Sequence, residues 1–203
     1  MKLVCDMTLD RLKHTAPGRP IGDLLEEVDN RNTEGTYTEA HGININKEFM
    51  PSVASSEDLR RYKIVSRNQF AYSPMQTGRD ECIRIALLKD DTPIIISPAY
   101  SVLRMKADDV IPEYLMLWLS RPETDRFGWF MSDSSIRANL DLWRLFEVSI
   151  PIPPLEVQRS IASIYTAMNK RKHITARLRA LIREACPVLI KGATDESQQA
   201  SQN

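Results

Sequence analysis

From Val157 onward apolar residues recur at steps of three and four: Val157, Ile161, Ile164, Met168, then Leu178, Ile182 and Ala185, with Ile174 and Leu181 beside them. That period describes one face of an α-helix. No glycine or proline interrupts the stretch before Pro187, and Pro154 stands at the first helical position, where a missing N–H leaves nothing unsatisfied. The spacing predicts a helix over residues 154–186, roughly 50 Å long at 1.5 Å per residue. An ordinary globular helix has about 11–12 residues. A small domain cannot cover so long a stripe, so the helix needs a partner. Arg171 and Thr175 occupy seam positions where a strict heptad places apolar residues, which favours a helical pair or antiparallel packing over a long zipper.

Upstream the texture is different. Residues 1–20 are a polar, partly basic lead, broken by Pro17, Gly18 and Pro20 and read as an extension. Ile21, Leu24, Leu25 and Val28 have helical spacing and predict one amphipathic helix over residues 21–30. After residue 33 come short runs rich in Ile, Val, Tyr and Phe (42–46, 62–65, 69–73, 82–88, 94–97 and 100–105), which predict strands of an irregular sheet. Residues 112–119 predict a short buried helix, with Pro122 ending it, and a second short helix carries Phe127, Trp129 and Phe130. A final strand over 148–152 delivers the chain to the long helix. The fold class is therefore α+β: an irregular, sheet-based domain with short helices, followed by one long C-terminal helix that pairs in a coiled-coil-like manner. The boundaries are an extension over 1–20, a domain over 21–150, the helix over 151–192, and a Gln- and Ser-rich tail over 193–203 expected to be disordered.

Charge sharpens this division. The chain has 27 basic and 27 acidic residues, but residues 151–192 hold eight basic against two acidic, and residues 1–150 hold 19 against 23. The basic helix either presents a solvated face or faces nucleic acid or an acidic protein. No run of about 18 apolar residues and no charged-then-apolar leader is present, so neither a membrane span nor a signal peptide is indicated and a cytoplasmic location is expected. Cys5, Cys82 and Cys186 are far apart and odd in number, against a disulfide framework or a zinc site. His14, His41 and His173 are isolated, and no glycine-rich cofactor loop occurs. The one Pro-Pro pair, Pro153-Pro154, lies between Ile152 and Leu155, not in the Asn/Asp-Pro-Pro-aromatic setting an amino-methyltransferase needs. A non-catalytic protein that binds no cofactor or metal is expected.

Several segments then carry a resemblance in their order and spacing. They are Tyr62-Lys63-Ile64-Val65, Gln69-Phe70-Ala71-Tyr72-Ser73-Pro74-Met75, Ile85-Ala86-Leu87, Ser97-Pro98-Ala99-Tyr100-Ser101-Val102 and Pro112-Glu113-Tyr114-Leu115, followed by Ser134-Ser135-Ile136-Arg137, Ile150-Pro151-Ile152-Pro153-Pro154-Leu155 and Gln158. Over residues 21–192 the chain resembles the DNA-specificity (S) subunits of type I restriction-modification systems: one target-recognition domain and the helix that follows it. The resemblance implies that the domain reads half of a split double-stranded DNA site and that the helix is a spacer. It implies docking of modification (methyltransferase) subunits, which hold S-adenosylmethionine, and of a restriction subunit. A full-length S subunit carries two such domains and two helices, so a half-size form acting as a homodimer on an inverted site is expected.

Base edges are read by side chains on polar loops. The candidates are Tyr72, Ser73, Met75, Gln76, Thr77, Gly78 and Arg79, and a second cluster, Ser134, Ser135, Arg137 and Asn139, for which capping of the next helix is the competing account. Arg60, Arg61 and Lys63 form a basic run that either holds phosphates or is a solvated face. The partner-binding residues of the helix are Val157, Ile161, Ile164, Met168, Leu178, Ile182 and Ala185. The acidic excess over residues 1–150 predicts weak, salt-dependent DNA binding by the chain alone. The alternative is an assembly adaptor that binds partner proteins without reading DNA.

Overall fold

The computed structural model describes residues 2–52, 58–75, 82–132 and 139–200, with the backbone alone for residues 2–6 and 188–200. Three layers stack in the domain. The middle layer is an antiparallel sheet of β2 (Leu25–Val28), β9 (Ser101–Met105), β6 (Phe70–Ser73) and β7 (Arg84–Leu87), in that spatial order. Strand alternation sends successive side chains to opposite faces. Phe70, Tyr72, Ile85 and Leu103 therefore face the helices, while Ala71, Ala86 and Val102 face a second sheet. Ala71 is paired with Ala86 on one side and Val102 on the other, so small side chains line that interface. The second sheet is β4 (Phe49–Pro51), β3 (Ala40–Ile43), β8 (Ile94–Ile96) and β5 (Lys63–Val65), with β3 and β8 parallel.

The third layer is helical. In α3 (Pro112–Leu119) every residue from Tyr114 to Leu119 is buried, and Pro112 opens it at a position where proline is favoured. The Tyr114 hydroxyl donates to the Pro151 carbonyl at 2.8 Å, and burial pushes its pKa up to about 12. α4 (Pro122–Met131) and α5 (Leu142–Phe146) follow, then β10 (Ser149–Pro151) and α6 (Leu155–Ala200). At Gly128 a Cβ would lie 2.6 Å from Ile83 Cγ1, so the absence of a side chain lets α4 approach the start of β7.

Four expectations need correction. Residues 1–20 are no appendage: α1 (Lys2–Thr15) buries Leu9 in the main core and β1 (Gly18–Pro20) pairs with β10. Asp10 anchors α1 to the buried Arg121 at 2.9 Å. In place of one helix over 21–30 there is a single turn, α2 (Ile21–Leu24), and then β2, because β9 offers Leu25–Val28 a hydrogen-bonding edge. β4 was absent from the strand pattern. Finally, α6 runs past residue 192 to Ala200, with Pro187 inside it.

Candidate nucleic-acid interface

The two polar segments that the sequence offers for base reading are brought together by their described ends. Met75 forms a β-bridge with Asn139. Next to it the Leu140 N–H donates to the Pro74 carbonyl at 2.9 Å. The Tyr72 hydroxyl donates to the Leu140 carbonyl from within the core, completing the latch. Burial, aided by the Asp141 carboxylate, holds the Tyr72 phenol well above the usual range. Tyr72 is thus corrected: at 1% exposure it cannot reach DNA, and its role is to tie β6 to the chain after the second polar segment.

The far ends of these segments are fixed as well. Ile83, where the chain re-enters β7, has both backbone groups engaged: its N–H donates to Asp125 Oδ1 at 2.9 Å and its carbonyl accepts from Lys47 Nζ at 2.8 Å. Lys47 and Asp125 close this clamp with a 2.6 Å ion pair, and Lys47 is held at a φ of 62° in the β3–β4 turn. On the other side an Arg144 guanidinium N–H donates to the Met131 carbonyl, tying α5 to the end of α4. So 75, 83, 131 and 139 are anchored positions, and the intervening polar segments start and finish on one patch of the domain.

Of the sequence candidates, Gln76, Thr77, Gly78, Arg79, Ser134, Ser135 and Arg137 lie outside the described residues. Met75 is exposed, Ser73 and Asn139 are half-buried, and the Asn139 amide donates to Asp141 at 2.7 Å. The basic run divides. Arg60 and Arg61 are exposed on a 3-10 turn in which the Arg60 N–H donates to the Asp58 carboxylate. Lys63 is buried within β5 with its amine 3.5 Å from Glu27, so its assignment to a phosphate is corrected. Among the described residues no group of three or more His, Cys, Asp or Glu is placed to hold a metal ion.

The helix residues also divide. Ile161 belongs to the domain's own core at 6% exposure, which corrects its placement in a partner seam; Ala162 and the half-buried Tyr165 pack beside it. Val157, Ile164, Leu178, Ile182 and Ala185 are exposed, and Met168 is half-buried. From Lys170 to Pro187 every residue is exposed, although within this length His173 still touches the domain. The direction of α6 is set at Gln158, which is fully buried: the amide N–H groups donate to the Asp109 and Pro153 carbonyls at 2.9 and 2.8 Å, and the oxygen accepts from Ile111 N–H at 3.0 Å. Farther along, His173 Nε2 lies 3.1 Å from Glu48 on the β3–β4 turn. Sequence reasoning missed Lys47, Asp125 and Asn32. The buried Asn32 amide donates to the Tyr37 and Leu59 carbonyls, and its own oxygen accepts from Tyr37 N–H. Each is a polar residue in a polar stretch, without periodicity to single it out.

Comparison with known proteins gives a consistent result. Residues 76–184 match the sequence model of a family described as "Type I restriction modification DNA specificity domain". A specificity subunit of the type I restriction enzyme HindI from Haemophilus influenzae is 21% identical over 180 residues, covering 84% of this chain and 39% of the relative. The HsdS subunit from Thermoanaerobacter tengcongensis has a similar fold, with a TM-score of 0.54 at 21% identity over 85% of this chain and 47% of that one. A chain from a structure titled for complex assembly and conformational transition of the type I R-M system gives 0.58 at 19% identity, covering 89% and 48%. The chain spans about half the length of the relatives it matches, or less. These folds carry the same α+β arrangement with a long helix after the sheet domain.

Proposed function

The chain belongs to the type I restriction modification DNA specificity family, and from that membership we propose that it is the sequence-reading, non-catalytic component of a type I restriction-modification complex. Its sheet domain reads one half of a split double-stranded DNA site through the polar segments rooted at the Met75–Asn139 latch. α6 pairs with a second helix and sets the distance between two reading domains. Modification subunits dock on that helical assembly and supply S-adenosylmethionine, and the restriction subunit joins for cleavage; this chain itself holds no cofactor. The observation that supports the reading best is the length of α6 that leaves the domain with apolar residues uncovered, since a spacer must extend beyond the module it spaces. Two copies related by a two-fold axis would read equal half-sites in inverted orientation.

Co-expression with a modification subunit, followed by mapping of methylated adenines, tests this. A gapped palindrome is the expected outcome. An asymmetric motif would mean that a different specificity chain supplies the other half-site. Complete absence of methylation, with the complex assembled, would favour a protein-binding adaptor. Gln76→Ala or Arg79→Ala should alter the methylated motif and leave assembly intact, whereas an adaptor would be indifferent to both.

A further inference from the structure

Among the described residues the exposed aromatic side chains are Phe127, Phe130 and Trp143; every other Phe, Trp and Tyr is buried or half-buried. Phe130, at 82%, is the most exposed large apolar residue among them, and Trp143 is at 56%. Single exposed apolar residues are ordinary, but three rings on two adjoining short helices form a patch that the domain does not cover. The rings also stand at the roots of the polar segments. Phe130 immediately precedes Met131 and Trp143 immediately precedes Arg144, and the hydrogen bond from the Arg144 guanidinium to the Met131 carbonyl joins those two positions. Shortly before Trp143 comes Asn139, whose bridge partner Met75 is itself 48% exposed.

Two cations flank the rings. The Arg144 guanidinium lies over the Trp143 ring, 5.1 Å from its centroid. Arg126, one turn before Phe130 on α4, has a side chain 78% exposed, and its ion pair with Glu123 is long, at 3.9 Å. An exposed pair of this kind is easily exchanged. Glu123 is held by the buried Arg121 at 3.2 Å, and the Asp141 carboxylate accepts from the Asn139 amide. Rings beside guanidinium groups suit protein partners and nucleic acid alike. Position decides between them: a duplex read at the Met75–Asn139 latch is far wider than the latch and is brought against whatever stands beside it.

Resting on the DNA-reading function above, we propose that Phe130 is a specificity-determining wedge whose ring enters the duplex at a base step beside the bases read at the latch, while Arg126 and Arg144 neutralise the flanking phosphates. Apolar side chains that enter a base step unstack it and kink the helix. Pyrimidine–purine steps, TA and CA/TG, open with least resistance. The ring therefore selects such a step by its deformability, with no hydrogen bond to a base.

The test uses the full chain assembled with its modification subunit, and a duplex carrying the motif that methylation mapping yields. Energy transfer between dyes on the duplex ends should report a kink of about 20–90°, and 2-aminopurine placed at successive positions should brighten at one pyrimidine–purine step. With Phe130→Ala the complex should keep its mass by light scattering but lose the kink and the brightening. Its discrimination at that step, read from methylation of motif variants, should fall roughly tenfold, the scale of one mismatched base pair. Phe130→Leu, which retains an apolar wedge, should preserve all three. An unchanged kink, 2-aminopurine signal and motif in Phe130→Ala would overturn the inference and leave DNA reading in place. So would loss of the modification subunit from Phe130→Ala while the chain still bound the duplex, since the rings would then belong to a protein interface. If the wild-type complex methylated no motif, the DNA-reading function would fall and the wedge with it.

Discussion

Gln158 sits at 0% exposure with its amide divided among three backbone groups from two segments. An alanine there would leave the Ile111 N–H and two carbonyls without partners in a site closed to water, and each such group costs about 1–3 kcal/mol. Gln158→Ala should lower the free energy of unfolding by about 3 kcal/mol or more, read from urea denaturation; a shift below about 0.5 kcal/mol, the scale of an ordinary surface change, would mean the contacts are dispensable. Lys47 gives a second case. Lys47→Met keeps the aliphatic stem but strips Asp125 of its counter-ion and the Ile83 carbonyl of its donor. Breaking one side of a largely buried pair costs about 3–5 kcal/mol, and thermal unfolding should register it. Neither role was legible in the sequence: Lys47 and Asp125 are 78 positions apart, and what joins them is the packing of a β-turn under α4, which no local pattern encodes.

At the scale of elements, Ile161 and Ile164 make the sharpest comparison. Both fit the apolar period of α6, yet Ile161 is 6% exposed in the domain core and Ile164 is 45% exposed. Ile161→Asp should destabilise the isolated chain severely, because a carboxylate would be buried with no partner. Ile164→Asp should leave the melting temperature of the isolated chain almost unchanged and abolish its assembly with a partner helix, as followed by light scattering. The period revealed the helix, but which side met the domain depended on α3, whose buried face is a tertiary fact. The same distinction explains other elements. β6, β7, β8 and β9 were readable because short β-branched and aromatic runs alternate between two buried layers. In β2 the sequence Leu25-Glu26-Glu27-Val28 suits a helix equally well, and pairing with β9 decides for the strand. The sequence of α1 reads as an extension because the burial of Leu9 and the Asp10–Arg121 contact come from distant segments, Arg121 lying 111 positions from Asp10.

The whole molecule poses an electrostatic problem for a DNA-reading protein, since residues 1–150 carry 19 basic and 23 acidic side chains. The structure tightens it. Arg19, Arg31, Lys47, Lys63, Arg67, Arg104 and Arg121 are each engaged by a carboxylate of the same chain. The exposed pairs among them contribute little to stability and can exchange partners, but the carboxylates released would remain beside the DNA and repel it. Among the described residues Arg11, Arg60, Arg61, Lys89 and Lys106 have no carboxylate partner in the chain and are left to displace counterions from phosphates. The logarithm of affinity falls with the logarithm of salt concentration by about 0.9 per phosphate neutralised in duplex DNA. For the chain alone a slope of roughly −2 to −4 is expected, corresponding to two to four contacts, with weak binding at physiological salt. Partner subunits that bring their own phosphate contacts should steepen this slope along with raising the affinity, because they add contacts the domain lacks. Filter binding or anisotropy on one duplex, with and without the partner across a salt series, measures both quantities. A steep slope for the chain alone would mean that its internal ion pairs open on DNA and that the domain carries its own electrostatic footprint. An unchanged slope in the complex would mean that the partner raises affinity by ordering the reading domain and not by touching the backbone.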